Sequence, residues 1–476
     1  MRAGAPVIPA AQLPRPGEVV DGFLVGERIH SGGMGVLYRV TAPGAAFPAV
    51  MKVPRLGPGE PATSVISFEV EQTVLAALSG PHVPRFVASG ELERRPYLVM
   101  EEIVGPSLKD WVPRAPLPPG EVARLGGAVA TALHSLHRQD AIHLDLKPAN
   151  VLFRDTGEAV LIDFGLAHHA RYPDLLAEEL RRPIGSAPYI SPEQVVGERG
   201  DPRSDLFALG VILYQLATGR LPFGSPTSEA GLRRRLWRDP PPPRAVAPGV
   251  PEWLQEIVLR CLEPDAARRP ATAAQVAFDL AHPDQVALGE RARRTRTAGP
   301  LARLRRWILA AGYEPAPLPS PSTQVAAASI VLVAVATQHD DEAQLAALRE
   351  AVRGVLERGG ARRLACATVI RPISQLGGSR QDETAARQRL KHLAILRHWA
   401  EPLRLATGQV SFHVIESGDP AGALLEYARV NGVDHVVIGA PPPAVPLRGV
   451  LGTVSTKVAL EAPCTVTLVR PPASRR

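Results

Sequence analysis

The sequence predicts two unlike domains in one chain: an α+β domain, then an α/β domain built on a doubly wound parallel sheet. Three observations carry this. From Val20 to about Pro113 the apolar pattern reads mostly as strands with one helix, and after Pro119 it changes to long helical runs. From Ile330 onward strand-like runs alternate with helical ones, as parallel strands joined by covering helices require. Between the two lies a stretch of different composition, basic at first and then proline-rich.

A chain of 476 residues exceeds one ordinary domain and can bury sizeable cores without disulfide staples. Its three cysteines, Cys261, Cys366 and Cys464, lie far apart, each in an apolar run. That reads as small core residues in a reducing compartment rather than a metal site or disulfide framework. Pro and Gly interrupt the N-terminal residues, unlike a signal peptide, and "ASIVLVAVA" (328–336) is too short to span a membrane. The chain therefore reads as soluble and cytoplasmic. Its net charge of +7 is local, since "GERARRTRTAGPLARLRRW" (289–307) holds seven Arg against one Glu. No nucleic-acid partner is expected.

The segments follow in order. Residues 1–17 form a Pro/Ala-rich lead-in, 18–282 the first domain, 283–324 a basic Pro-rich linker, and 325–472 the second domain. In the first domain "VISFEVEQTVLAALSG" (65–80) has helical spacing and ends at Gly80, with further helices at 120–138, 202–217 and 251–262. The linker carries a short basic amphipathic helix over 301–311, then the extended spacer "APLPSPST" (316–323). In the second domain buried strands fall at 329–336, 364–370, 409–415, 434–440 and 464–470, with helices at about 341–357, 384–403, 420–431 and 450–461.

The first domain carries the chemistry. "IHSGGMGVLY" (29–38) is a turn whose glycines, Gly32, Gly33 and Gly35, allow backbone N–H groups to approach phosphates. "AVMK" (49–52) is a strand ending in Lys52, and nineteen residues later Glu71 lies on the expected helix as its ion-pair partner. "HLDLKPAN" (143–150) packs His, Asp, Lys and Asn together, and thirteen residues after Asn150 comes "DFG" (163–165), preceded by the apolar "AVLI". Asp145, Asn150 and Asp163 offer hard oxygen ligands suited to Mg²⁺ shared with a polyphosphate. Each motif alone is weak evidence. Together, in this order and spacing, they match the known arrangement of protein kinases.

On these residues, about 18–282 resembles the eukaryotic-like serine/threonine protein kinases of bacteria. The resemblance implies the α+β bilobal protein-kinase fold, ATP and Mg²⁺ as cofactors, and proteins as substrates. It also implies roles. Lys52 would hold the α/β-phosphates with Glu71 fixing its rotamer; Asp145 would accept the substrate proton; Lys147 would neutralise the transferring phosphoryl; Asn150 and Asp163 would bind the metal. "PYLVMEEIVGPSL" (96–108) is similar to the hinge, with Met100 as gatekeeper and the backbone of Glu101 and Ile103 facing adenine. "GSAPYISPEQ" (185–194) resembles the substrate-binding loop and the box that follows it. Asp205 would brace the catalytic loop, and Arg269 would pair with Glu193 in a structural role.

Two departures stand out. His30 replaces the first glycine of the family's loop, and Leu144 replaces the Arg that often pairs with an activation-loop phosphate. The tandem His168–His169 is read as ordinary rather than metal-binding, since no further ligand is apparent.

The C-terminal strand order, with "VDHVVIGAPP" (433–442) and "RGVLGTVSTKVALEAPCTVTLV" (448–469), resembles a universal stress protein domain. Gly439 and Gly452-Thr453 fit the phosphate-loop pattern, but Pro442 takes the second Gly position. Ala336 or Thr337 stands where an Asp is common. Whether this second site holds a nucleotide stays open. The apolar last strand suits edge pairing and hence a homodimer. The sequence thus points to a cytoplasmic Ser/Thr protein kinase of bacterial signalling or stress response with a sensory or dimerising C-terminal domain. The alternative is a pseudokinase scaffold, or a nucleotide or stress sensor, acting by binding alone.

Overall fold

The computed structural model describes residues 13–297, 299, 321, 330–371 and 391–471, less 33–34, 42–43, 45–46, 56–61, 91–94, 173, 175, 177–183, 338–341, 358–361, 406–408 and 441–453. By their packing the residues form two compact units, 1–273 with 288–322, and 274–287 with 323–476.

The first unit opens with a six-stranded antiparallel sheet. Its strands are β1 (Val19–Val20), β2 (Phe23–Gly32), β3 (Gly35–Thr41), β4 (Ala49–Val53), β5 (Phe86–Ser89) and β6 (Leu98–Glu101), in the order β1-β2-β3-β4-β6-β5. Alternation buries Val36, Tyr38 and Val40 on one face of β3, against Met51 and Val99. Gly35 has φ +151, and a Cβ there would meet the Val53 carbonyl at 2.5 Å, so only glycine closes this turn. Helix α1 (Ala62–Ala77) lies between β4 and β5. It stops three residues before the expected Gly80, whose φ of +101 turns the chain outward.

The remainder of the first unit is mainly helical. Helix α2 (Pro119–His137) precedes two short pairs, β7 (Ala141–Ile142) with β10 (His168–His169) and β8 (Val151–Phe153) with β9 (Ala159–Leu161). Then come α3 (Pro192–Val195), α4 (Arg203–Thr218), α5 (Glu229–Arg233) and α6 (Glu252–Cys261). Helix α4 is apolar nearly all round and correspondingly buried, and Gly219 in the left-handed region ends it.

The basic stretch after 288 begins differently from a solvated linker. Ala292 is fully buried, and Arg291 pairs with Glu256 and Glu263. Gln255 donates to the carbonyls of Arg291, Ala292 and Arg294. Acids on α6 and just after it match this basic run, so its first turn packs. The expected helix at 301–311 and the spacer 316–323 lie outside the described residues.

In the second unit five parallel strands, β11 (Ile330–Ala334), β12 (Arg363–Ile370), β13 (Val410–Glu416), β14 (His435–Gly439) and β15 (Thr465–Val469), run in the order β13-β12-β11-β14-β15. Leu332, Ala365 and Val436 pack on one face, and Val331, Val333, Cys366 and Val437 on the other. Both faces are covered, which explains why the strands read as continuous apolar runs. Helices α8 (Glu342–Glu357), α9 (Pro420–Val430) and α10 (Val454–Glu461) alternate with them, and residues 391–400 are helical. Helix α7 (Ala273–Ala281) places Phe278 in this core beside Tyr427 and Ala428.

Candidate active site

A cavity of about 540 Å³ lies in the first unit, lined by β2, β3 and β4 on one side and by Asn150, Leu152 and Asp163 on the other. Gly32, Gly35, Lys52, Glu71, Glu101, Ile103, Asn150 and Asp163 all line it. Asp145 and Lys147 stand beside Asn150, and Gly33 lies outside the described residues. His30 also faces the cavity, and its ring nitrogen sits 3.1 Å from where a Cβ on Gly32 would be. The imidazole therefore covers the turn where the sequence lacks a glycine.

Strand β4 ends by aiming Lys52 inward, where Nζ meets Glu71 at 2.6 Å and Asp163 at 3.2 Å. Burial opposes the ammonium charge, yet the two carboxylates outweigh it and hold Lys52 above its usual range. Burial also pushes Glu71 up, reinforced by the nearby Asp163 and countered by Lys52. Asp163 is held low despite its own burial, because Lys52 and Lys147 favour its anion. The site thus keeps a charged lysine between two acids.

The loop after β7 is fixed from below. Asp205, in the first turn of α4, accepts the backbone N–H groups of His143 and Leu144 at 2.9 Å each, and His137 Nε2 at 2.9 Å. Leu144 adopts φ +59 and Asp163 φ +68, conformations that cost a non-glycine residue about 1–2 kcal/mol. His143 is fully buried, accepting the Asp145 N–H at Nδ1 and facing the Ile162 carbonyl through Nε2.

These constraints converge on Asp145. Its Oδ2 accepts Lys147 Nζ at 2.6 Å and Asn150 Nδ2 at 3.3 Å, while Oδ1 accepts the Ser186 N–H at 2.8 Å. Asn150 Nδ2 also reaches the Asp145 carbonyl, which leaves its amide oxygen without a hydrogen bond among the described residues. An unused amide oxygen and the Asp163 carboxylate on the same cavity form a donor set that fits a hard divalent cation.

At the far end of the cavity Arg154 holds the Glu101 side chain with both guanidinium nitrogens, at 2.6 and 3.1 Å. Ile103 follows with neither its backbone N–H nor its carbonyl bonded among the described residues. That edge can receive a planar heterocycle. Glu193 and Arg269 form a buried bidentate pair at 2.6 and 2.7 Å. His168 lies near Asp174 at 3.4 Å, and the His169 ring packs tilted against Tyr172, with centroids 4.9 Å apart.

Sequence reasoning missed three contributors: the Ser186 backbone on Asp145, Gln194 donating to the Leu144 carbonyl at 2.8 Å, and Arg235 beneath the same loop. The first is a main-chain contact, invisible in residue types. Arg235 sits in a run of three arginines that reads as a solvated face.

The protein kinase domain model matches residues 23–280, and the universal stress protein family model matches 329–470. Serine/threonine-protein kinase pkn2 of Myxococcus xanthus is 35% identical over 271 residues, 55% of this chain and 32% of that protein. Serine/threonine-protein kinase PknL of Mycobacterium tuberculosis is 33% identical over 270 residues, 56% of this chain and 67% of that protein. A crystal structure of the Mycobacterium tuberculosis PknI kinase domain aligns at 26% identity with a TM-score of 0.45, over 57% of this chain and 99% of that one. The chain spans from a third to two thirds of the length of these curated relatives. Because the first match runs through more than half of the sequence and encloses the whole cavity, the chain belongs to the protein kinase family, and a universal stress protein domain follows its kinase domain.

Proposed function

We propose that the chain is a protein kinase that transfers the γ-phosphoryl group of ATP to Ser and Thr hydroxyls of proteins in signalling or stress response. We take the kinase domain as 18–282 and the C-terminal domain as 325–472, joined through the basic linker. The observation that carries this reading is the Lys52 ammonium held between Glu71 and Asp163 in the same cavity as Asn150, with Asp145 alongside.

Family membership implies ATP and a divalent metal, and Mg²⁺ suits the oxygen donors of Asn150 and Asp163. When bound it would neutralise charge on the polyphosphate. Lys52 would hold the α- and β-phosphates, its rotamer set by Glu71. The glycine turn would lay backbone N–H groups over the phosphates, and the Glu101 carbonyl and Ile103 N–H would meet the adenine edge. Asp145 would orient the acceptor hydroxyl and take its proton. Lys147, hydrogen-bonded to Asp145, would sit where charge develops on the γ-phosphoryl. Phosphoryl transfer depends chiefly on positioning and electrostatic stabilisation, and this set supplies both. A homodimer through the C-terminal domain would bring two kinase domains together for phosphorylation in trans.

The test is radiolabel transfer from ATP to a protein acceptor with Mg²⁺. Lys52→Met and Asp145→Asn should each lower the rate by about a hundredfold or more. Equal incorporation by the wild type and both variants would sink the kinase reading.

A further inference from the structure

Two arginines of the first unit are almost wholly buried, and they are held in different ways. Arg269 is 3% exposed and bonded on both sides to the Glu193 carboxylate. Arg235 is 1% exposed and has no acid within ion-pair distance among the described residues. It lies in the turn Arg234–Leu236 directly after α5. Its Nη1 donates to the carbonyl of Ile190, and its Nη2 to the carbonyl of Ala187 at 2.9 Å. The guanidinium carbon stands 5.6 Å from the centre of the Phe223 ring, and Nε finds no partner among the described residues.

An isolated charge buried this way costs several kcal/mol. Burial lowers the Arg235 pKa to about 10, so the side chain is still a cation at neutral pH. Met or Leu would fill the same space without that cost. The charge is therefore spent on its two acceptors, and both belong to the segment that the family resemblance makes the substrate-binding loop. A planar fork suits two carbonyls three residues apart, where the single point charge of Lys would reach one.

We propose that Arg235 is a positioning residue for the phosphoacceptor: it clamps the 187–190 turn from beneath, so that the surface receiving the substrate chain keeps its register with Asp145. The inference rests on the kinase reading above. Other contacts also hold this segment, among them the Ser186 N–H on Asp145, Tyr189 Oη on Gln215 at 2.8 Å, and Gln194 on the Leu144 carbonyl. Among the described residues only Arg235 grips the turn's own carbonyls at 187 and 190.

The test compares the full-length wild type, Arg235→Met and Arg235→Lys, all with matched thermal unfolding profiles. In transfer to a Ser/Thr acceptor peptide, Arg235→Met should raise the peptide KM roughly tenfold, the loss of a charged-donor clamp. The KM for ATP should stay within about twofold, and Arg235→Lys should recover part of the loss. A second readout needs no phosphoryl transfer. Amide hydrogen exchange across 184–190 should accelerate in Arg235→Met while exchange across 143–150 stays as in the wild type. An unchanged peptide KM together with unchanged exchange overturns the clamp. Wild-type protein that transfers nothing overturns the kinase reading instead, and the exchange measurement still decides whether Arg235 holds the loop. If Arg235→Met does not fold, the same two comparisons are made with Arg235→Lys, for which unaltered values of both overturn the proposal.

Discussion

Ser186 donates its backbone N–H to Oδ1 of Asp145 at 2.8 Å, the carboxylate oxygen that Lys147 and Asn150 leave unused. The loop that resembles the family's substrate-binding loop is thereby tied directly to the proposed base. Gln194 adds a second tie, to the carbonyl of Leu144, and Leu144 itself is buried and uncharged. Between the Asp-Phe-Gly and Ser-Pro-Glu boxes the only hydroxyls are Tyr172, Ser186 and Tyr189. Tyr189 is engaged with Gln215, and burial pushes its pKa up to about 12. Activity should therefore not depend on activation-loop phosphorylation. Initial rates measured before and after phosphatase treatment should agree within about twofold. A large loss restored by autophosphorylation would contradict this.

The Glu193–Arg269 pair predicts a stability effect with a clear sign. Burial opposes the Glu193 anion, but Arg269 and the Ser204 hydroxyl hold its pKa below the usual range. Removing one partner strands the other charge in the core, so Arg269→Ala should lower the unfolding free energy by about 3–5 kcal/mol. Urea unfolding of the full chain measures it. The double change Glu193→Gln with Arg269→Met should cost less than Arg269→Ala alone, because no buried charge is left unpaired.

Much of this was legible in the sequence for a definite reason. Lys52, Glu71, Asp145, Asn150 and Asp163 are identified by residue type and spacing, and the fold brings Lys52, Glu71 and Asp163 within one another's reach. The parallel sheet was legible because strands buried on both faces must be apolar throughout, as Val331 to Val333 are. Contacts made by main-chain atoms were not legible, since any residue could donate the N–H that Ser186 supplies. Nor was the burial of Arg235 or Ala292, which tertiary partners decide. The role of α7 was hidden for the same reason. No helix was expected over 273–281, and nothing in that stretch says that Phe278 packs with Tyr427 rather than with its neighbours in sequence.

The histidines near α7 predict a pH dependence of stability for the second unit. Gln285 Nε2 donates to Nδ1 of His413 at 3.2 Å, and His413 Nε2 meets Ser411 Oγ at 3.0 Å. Nδ1 must therefore remain an acceptor, and His282, Tyr427 and the Arg363–Asp279 pair crowd the same pocket. Burial, with His282 and Arg363 adding to it, lowers the pKa of His413 to about 3; burial lowers His282 as well. Both folded pKa values lie below the unfolded value of about 6.5, so the folded state excludes protons that the unfolded state binds. This contribution is fully present above pH 6.5 and is lost as pH falls towards about 3. Between pH 7.5 and 5 the loss from His413 should reach about 2 kcal/mol. Denaturant midpoints of the full chain at the two values measure it, and His413→Gln should flatten the dependence.

The second unit also predicts how the C-terminal part behaves when excised. The unit takes in 274–287 as well as 323–476, and Phe278 is fully buried in its core with Arg363 stacked 4.3 Å above the ring. A fragment starting at 324 loses that side chain, a loss comparable to a large-to-small core change of about 3–5 kcal/mol. Fragment 274–476 should accordingly be more stable than 324–476 by an amount of that order. Among the described residues strand β15 pairs with β14 alone, and Leu468 on it is 48% exposed. An open apolar edge of this kind favours strand pairing with a second copy, so fragment 274–476 should sediment as a dimer. Replacing Leu468 with Lys should shift it towards monomer. ATP should bind this fragment far more weakly than it binds the kinase domain. Proline at 442 cannot donate an N–H, and Ala336 or Thr337 stands where the family resemblance expects a carboxylate, with the Thr337 hydroxyl engaged by Thr368 and His392 at 2.9 and 2.7 Å. Pro442, Gly452 and Thr453 lie outside the described residues. Calorimetric titration decides this half, and micromolar ATP binding by the fragment would refute it. Sedimentation decides the other, and a strict monomer at tens of micromolar, which excludes a dissociation constant near roughly 1 μM or about −8 kcal/mol, would refute pairing through β15.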